Sequence, residues 1–125
     1  MIIAIDFDGT LHTGHWPGIG APTPYAKEVM QKLKNEGHYL IIWTCRERES
    51  QTEMVNWLLE KGIPFDRINE HKPGNVELYG YSSRKVYAHL YVDDKQVGGL
   101  PTWYEIYEWV TQKEEEYQQF KRQRL

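Results

Sequence analysis

Ile2-Ile3-Ala4-Ile5-Asp6-Phe7-Asp8-Gly9-Thr10-Leu11 is the stretch on which the reading of this chain turns. Ile2–Phe7 is a short apolar run rich in β-branched side chains and bounded by Asp-Gly, the pattern of a buried strand. Two carboxylates stand at its exit. A strictly extended chain would hold both on one face, and the turn at Gly9 lets Asp8 swing beside Asp6.

Working outward, Leu11–Pro22 holds Gly14, Pro17, Gly18 and Gly20 and is expected to form a loop or flap, with residues 12–22 as its body. Ala26, Val29, Met30 and Leu33 have helical spacing, and Gly37 is a stop. Tyr39–Trp43 is a second buried strand. Met54, Val55, Leu58 and Leu59 mark a second helix ending at Gly62. Phe65–Asn69 is a weaker strand, and Glu70–Arg84, with Pro73, Gly74 and Gly80, has no legible period. His89–Val92 is another strand that runs into acids, Asp93 and Asp94. After Gly98, Gly99 and Pro101 a last helix spans Thr102–Arg122, with an aromatic stripe expected to lie on the sheet. Strands alternating with helices predict a parallel sheet with right-handed crossovers.

The bulk numbers narrow the function classes. The 125 residues suit one domain, and hydrophobic residues at 40% leave disorder an unneeded reading. A net charge of −3 argues against a general nucleic-acid or membrane-surface binder, although a local basic patch would still allow nucleic acid. Cys45 is the single cysteine, which rules out an intrachain disulfide and suits a reducing cytoplasm. The apolar run after Met1 is too short for a signal peptide or a membrane span, so a cytoplasmic location is expected.

Chemistry enters through position. The carboxyl ends of parallel strands lie along one edge, where ligands bind. Asp6 and Asp8, Thr44, and Asp93 and Asp94 all follow strands, so three clusters distant in sequence should meet there. Several carboxylates at one site need a cation, and hard oxygen donors without a His or Cys cluster point to Mg²⁺. Such a site suits phosphoryl transfer. One carboxylate attacks, and a second protonates the leaving alcohol and then activates water. Backbone amides near Asp8–Thr10 would hold phosphoryl oxygens.

Asp6-Phe7-Asp8-Gly9-Thr10-Leu11, Thr44 after an apolar strand and Asp93-Asp94 after another resemble the haloacid dehalogenase superfamily, from Ile2 to about Trp109. The resemblance implies a Rossmann-like, doubly wound α/β domain over 1–125, with a short four-stranded parallel sheet ordered 3-2-1-4, flanked by helices and lacking a cap domain. It implies Asp6 as nucleophile and metal ligand, and Asp8 as general acid/base with its carbonyl on the metal. Thr44 would bind the phosphoryl group, and Asp94, supported by Asp93, would complete the Mg²⁺ site. Gly9, Thr10 and Arg46 are candidates for substrate contact, Arg46 alternatively for an ion pair with Glu47 or Glu49. The phosphate-bridging lysine is Lys85 or Lys72, with whole-pattern similarity favouring Lys85. More narrowly, Pro17-Gly18-Ile19-Gly20, Thr44-Cys45-Arg46-Glu47 and Ser83-Arg84-Lys85 resemble small bacterial and phage hydrolases. The activity implied is Mg²⁺-dependent phosphomonoester hydrolysis of a phosphorylated substrate. The alternatives are a nucleotide or polynucleotide-end phosphatase, or a non-catalytic phosphate-binding scaffold. An uncapped site would gain cover from its flap or from a homo-oligomer. His12 and His15 are expected to be solvated loop residues, and Cys45 a buried packing residue.

Overall fold

In the computed structural model, which describes residues 1–80 and 83–123, the element order is β1 (Ile2–Ile5), α1 (Ala26–Asn35), β2 (Tyr39–Ile42), α2 (Arg48–Lys61), β3 (Arg67–Ile68), α3 (Pro73–Tyr79), β4 (Leu90–Val92) and α4 (Trp103–Gln123). Among the described residues the strands make one sheet ordered β3-β2-β1-β4, as expected, with every pairing parallel. The strands are shorter than the apolar runs that signalled them. Phe7 and Trp43 have already left the ladder, and β3 is reduced to Arg67 and Ile68.

Register sets the two faces. Ile3 pairs with Leu40 and Leu90, and Ile5 with Ile42 and Val92, so these side chains share one side. They pack against Val29, Met30 and Leu33 of α1, Met54, Trp57 and Leu58 of α2, and Trp103, Ile106 and Val110 of α4. The opposite side, built from Ile2, Ala4 and Ile41, is sealed by Val86 and Ala88. The second face is therefore covered by an irregular stretch of the β3-to-β4 crossover.

Helix α3 lies inside the stretch that had no legible period. Pro73 opens it, Gly80 closes it in the left-handed region at φ 74°, and Leu78 is 73% exposed, so no apolar stripe betrays it. In α4 the aromatic stripe reaches the core only through Val110. Tyr117 instead tilts onto the His89 ring at 4.7 Å, and Phe120 is exposed. Among the described residues no helix is long and apolar enough to cross a membrane.

Candidate active site

The carboxyl edge of the sheet gathers the acids. Parallel pairing aligns the ends of β1 and β4, with Asp6 N–H donating to Val92 O at 2.9 Å. The chain then turns at Phe7, whose carbonyl receives the amides of Thr10 (3.2 Å) and Leu11 (2.9 Å). Gly9, at φ 81°, lies directly under Asp94: a Cβ there would sit 2.3 Å from Asp94 Oδ2. Glycine is required for both reasons. Gly9→Ala should weaken divalent-cation binding about tenfold and cost about 1–3 kcal/mol of stability, read by calorimetric titration and thermal melting.

Asp6, Asp93 and Asp94 each offer an oxygen within 4.8 Å of the others. The Thr10 hydroxyl sits between two of them, 3.1 Å from Asp6 Oδ2 and 3.4 Å from Asp94 Oδ1, and it accepts the Asp94 amide at 3.1 Å. Thr10 is fully buried, and its side chain braces the acids. Trp103 anchors the same turn by donating its indole N–H to Thr10 O at 3.2 Å.

The crowding is visible in proton affinity. Burial first, then the hydrogen bond to Asp94 and the charges of Asp93 and Asp94, push Asp6 up to about 7 against Thr10, which opposes the shift. An all-oxygen, half-buried carboxylate cluster that can ionise fully only at a cost is one that a hard divalent cation would relieve. The residues thus fit a divalent metal. Asp8 contributes no side-chain oxygen to this cluster.

The Asp8 carboxylate instead turns to Arg46 and His12. Arg46 Nε donates to Oδ2 at 2.9 Å, Arg46 Nη2 to Oδ1 at 2.7 Å, and His12 lies 2.8 Å from Oδ1. Burial raises the proton affinity of Asp8, but the hydrogen bonds from Arg46 and His12 and the charge of Arg46 outweigh it and hold the carboxyl below its ordinary value. Arg46 is 1% exposed, and its ion pair is neither with a surface glutamate nor with open solvent. Its guanidinium also reaches the carbonyls of Pro17 (3.1 Å) and Gly18 (3.4 Å) and lies 4.7 Å from the Trp16 ring centroid. The flap is thereby tied to the site.

His12 was expected in a solvated loop, and it is fully buried. Its neighbours explain the difference: Phe7 and Trp57 pack on the ring while Asp8 and two flap amides use both ring nitrogens. Cys45 is also reversed. The Thr44 hydroxyl accepts the Arg46 amide at 3.1 Å, a tight turn that sends Arg46 inward and leaves Cys45 exposed.

Thr44 is oriented by a residue that no motif announced. Asn69 accepts the Thr44 amide at 2.8 Å and donates to the Thr44 carbonyl at 2.8 Å, from a left-handed backbone at φ 53°. Asparagine tolerates that conformation and matches both backbone groups. Its place just after a strand was the available signal. Asn69→Ala should cost about 1–2 kcal/mol, checked by thermal melting.

The lysines separate. Lys72 lies with its ammonium 5.5 Å from the ring centroid of Tyr39, the residue that opens β2, and so sits at the edge opposite Asp6. Lys85 reaches the Tyr91 ring, 5.0 Å from its centroid, halfway along β4 on the face sealed by Val86 and Ala88. No carboxylate among the described residues lies within 4.0 Å of it. Lys95, unremarked in the sequence, has its ammonium 3.8 Å from Asp94 Oδ2.

The model of the haloacid dehalogenase-like hydrolases matches residues 3–123. A solved structure of a conserved protein from Bacteroides thetaiotaomicron is similar at 42% identity and a TM-score of 0.81, over 90% of this chain and 91% of that one. A Bacillus cereus protein named "Putative nucleotidase" is 41% identical over 44 residues, which span 35% of this chain and 23% of that protein. With the acids of β1 and β4 converging at one sheet edge and a family match across almost every residue, this chain belongs to the haloacid dehalogenase-like hydrolases.

Proposed function

We propose that the protein is a Mg²⁺-dependent phosphomonoester hydrolase acting through an aspartyl-phosphate on Asp6. The observation that carries this reading is the convergence of Asp6, Asp93 and Asp94 within 4.8 Å at the carboxyl edge of the sheet, beside the tight turn at Gly9. Asp6, Asp94 and Asp93, with the Asp8 carbonyl, are the groups that would hold Mg²⁺. When bound, the ion supplies charge neutralisation of the phosphoryl oxygens.

The chain's own residues do the rest. The Asp6 carboxylate oxygen attacks phosphorus, and the bond from phosphorus to the ester oxygen breaks. The leaving oxygen takes its proton through Asp8, whose carboxylate, held ionised at rest by Arg46 and His12, must first take up a proton from solvent. Asp8 then accepts a proton from water, whose oxygen displaces the Asp6 carboxylate from phosphorus and releases inorganic phosphate. The Asp8 and Gly9 amides and the Thr44 hydroxyl hold the equatorial oxygens. Bridging by Lys85 requires its ammonium to turn from Tyr91 toward Asp93, and Lys95 already lies beside the acids. Assaying Lys85→Ala, Lys72→Ala and Lys95→Ala side by side assigns the role. The expected outcome for Lys72→Ala is unchanged activity.

The fold carries no separate covering domain over this edge in our reading, so the flap at 12–22 is the cover and the site admits large substrates. A cytoplasmic setting accords with the exposed, unpaired Cys45. A nucleotide or polynucleotide-end substrate is favoured by one feature: Trp16 stands 61% exposed on the flap beside the Arg46–Asp8 pair. A planar base could stack there. The test is a phosphorylated-metabolite panel that includes 5′- and 3′-phosphorylated oligonucleotides, run with Mg²⁺ and with chelator. Chelator-sensitive hydrolysis of an aryl phosphate is expected. Activity that survives chelation would remove the Mg²⁺ dependence, and no activity on any ester would remove the proposal in favour of a phosphate-binding scaffold.

Metal removal should also leave a thermodynamic mark. Asp6 is raised from 3.8 to about 7 in the folded chain, so the metal-free protein is most stable below pH 3.8, as far as this group is concerned, and loses that contribution as pH rises to about 7. Added Mg²⁺ should therefore raise the melting temperature more at pH 8 than at pH 5.5, as differential scanning fluorimetry would show.

A further inference from the structure

His12 lies in the flap but has no exposed surface. Its Nδ1 accepts two backbone amides, from Gly14 at 3.0 Å and Gly20 at 3.1 Å. A ring nitrogen that accepts two N–H groups carries the lone pair, which assigns the proton to Nε2. That N–H donates to Asp8 Oδ1 at 2.8 Å. The two amides come from chain segments in tight contact: a Cβ on Gly14 would lie 2.4 Å from the Gly20 nitrogen, and one on Gly20 2.5 Å from the Gly14 nitrogen. One imidazole thus pinches both ends of the flap at one nitrogen and orients a carboxylate with the other.

We propose that His12 is a positioning residue for hydrolysis, aiming the Asp8 carboxyl and closing the base of the flap so that the two move as one unit. This rests on reading Asp8 as the acid/base. Arg46 completes the unit from outside, gripping Asp8 and the carbonyls of Pro17 and Gly18 together. The Phe7 ring, 4.7 Å from the imidazole, and Trp57, at 6.0 Å, keep the histidine from rotating out.

The two contacts can be separated chemically. In His12→Asn the amide oxygen replaces Nδ1 as acceptor for the flap amides, and nothing reaches Asp8. In His12→Gln the amide N–H₂ replaces Nε2 as donor to Asp8, and the flap contact is lost. Aiming an acid matters most when the leaving group is basic, so an alkyl phosphate and 4-nitrophenyl phosphate are compared. The expected result for His12→Asn is a fall in kcat of about 10²-fold on the alkyl ester and about tenfold on the aryl ester, with KM little changed. His12→Gln should retain kcat within about fivefold on both. Equal losses in the two variants, independent of leaving group, would leave His12 a purely structural residue and overturn the proposal while the hydrolase reading stands. A wild-type chain inactive on both esters would overturn both. Should either variant fail to fold, ¹⁵N NMR of the wild-type imidazole decides, because a protonated Nδ1 with a bare Nε2 is incompatible with this role.

Discussion

Asp6→Asn is expected to abolish turnover, by at least about 10³-fold in kcat, while making the metal-free protein more stable. Both effects come from one atom exchange. On the mechanism proposed above, the amide cannot attack phosphorus, so the covalent route closes even though the side chain keeps its shape. The same amide carries no charge beside Asp93 and Asp94, the groups that together with burial drive Asp6 up to about 7. At pH 8 the wild-type chain carries the Asp6 charge within 4.8 Å of Asp93 and Asp94, whereas the variant does not. Below pH 3.8 Asp6 is neutral in both the folded and unfolded chain, and the difference vanishes. The stability advantage of the variant should grow between about pH 4 and pH 7 and level off above. Melting curves in chelator, set beside a single-turnover assay, read both effects. A variant that loses activity and melts below wild type at pH 8 would contradict this account of the cluster.

Arg46→Met should produce the largest loss of stability in the site, about 2–3 kcal/mol. Methionine keeps most of the packing volume against Phe7 but removes the donors to Asp8 and to the flap carbonyls. A half-buried carboxylate that loses a bidentate partner bears most of the penalty. The Asp8 side chain retains 27% exposure, which moderates it below that of a fully buried pair. Asp8→Asn in the same chain should recover part of the loss, since no charge is then left unpaired, and a double-mutant cycle by chemical denaturation measures the coupling. The pH dependence has a definite sign. Asp8 is held below its ordinary value, so its contribution is present at neutral pH and lost on acidification through its folded value. Arg46→Met should flatten that acid limb. A variant as stable as wild type would mean that the guanidinium contributes nothing net.

The parts of this molecule that were legible in the sequence are those with local causes. Apolar runs of four or five residues ending in Asp or Thr marked β1, β2 and β4, and periodic Val29, Met30 and Leu33 marked α1. Helix α3 was not legible, because it is short, half exposed and free of any stripe, with only Pro73 and Gly80 as punctuation. Asn69 escaped notice for a related reason. Its function is to bond two backbone groups of Thr44 across the sheet edge, and such a role leaves no periodicity.

By itself the sequence determined that acids would stand at the ends of parallel strands, because the alternation of buried strands with helices leaves one edge where those ends can meet. What only the tertiary structure decided is how the side chains divide there. Asp6 joins Asp93 and Asp94, while Asp8, two residues on, turns to a buried arginine and a buried histidine. The physical reason is distance in the chain. Periodicity and turn chemistry act over a few residues, whereas the arginine partner of Asp8 comes from 38 positions away and is selected by packing, burial and charge once the sheet has closed.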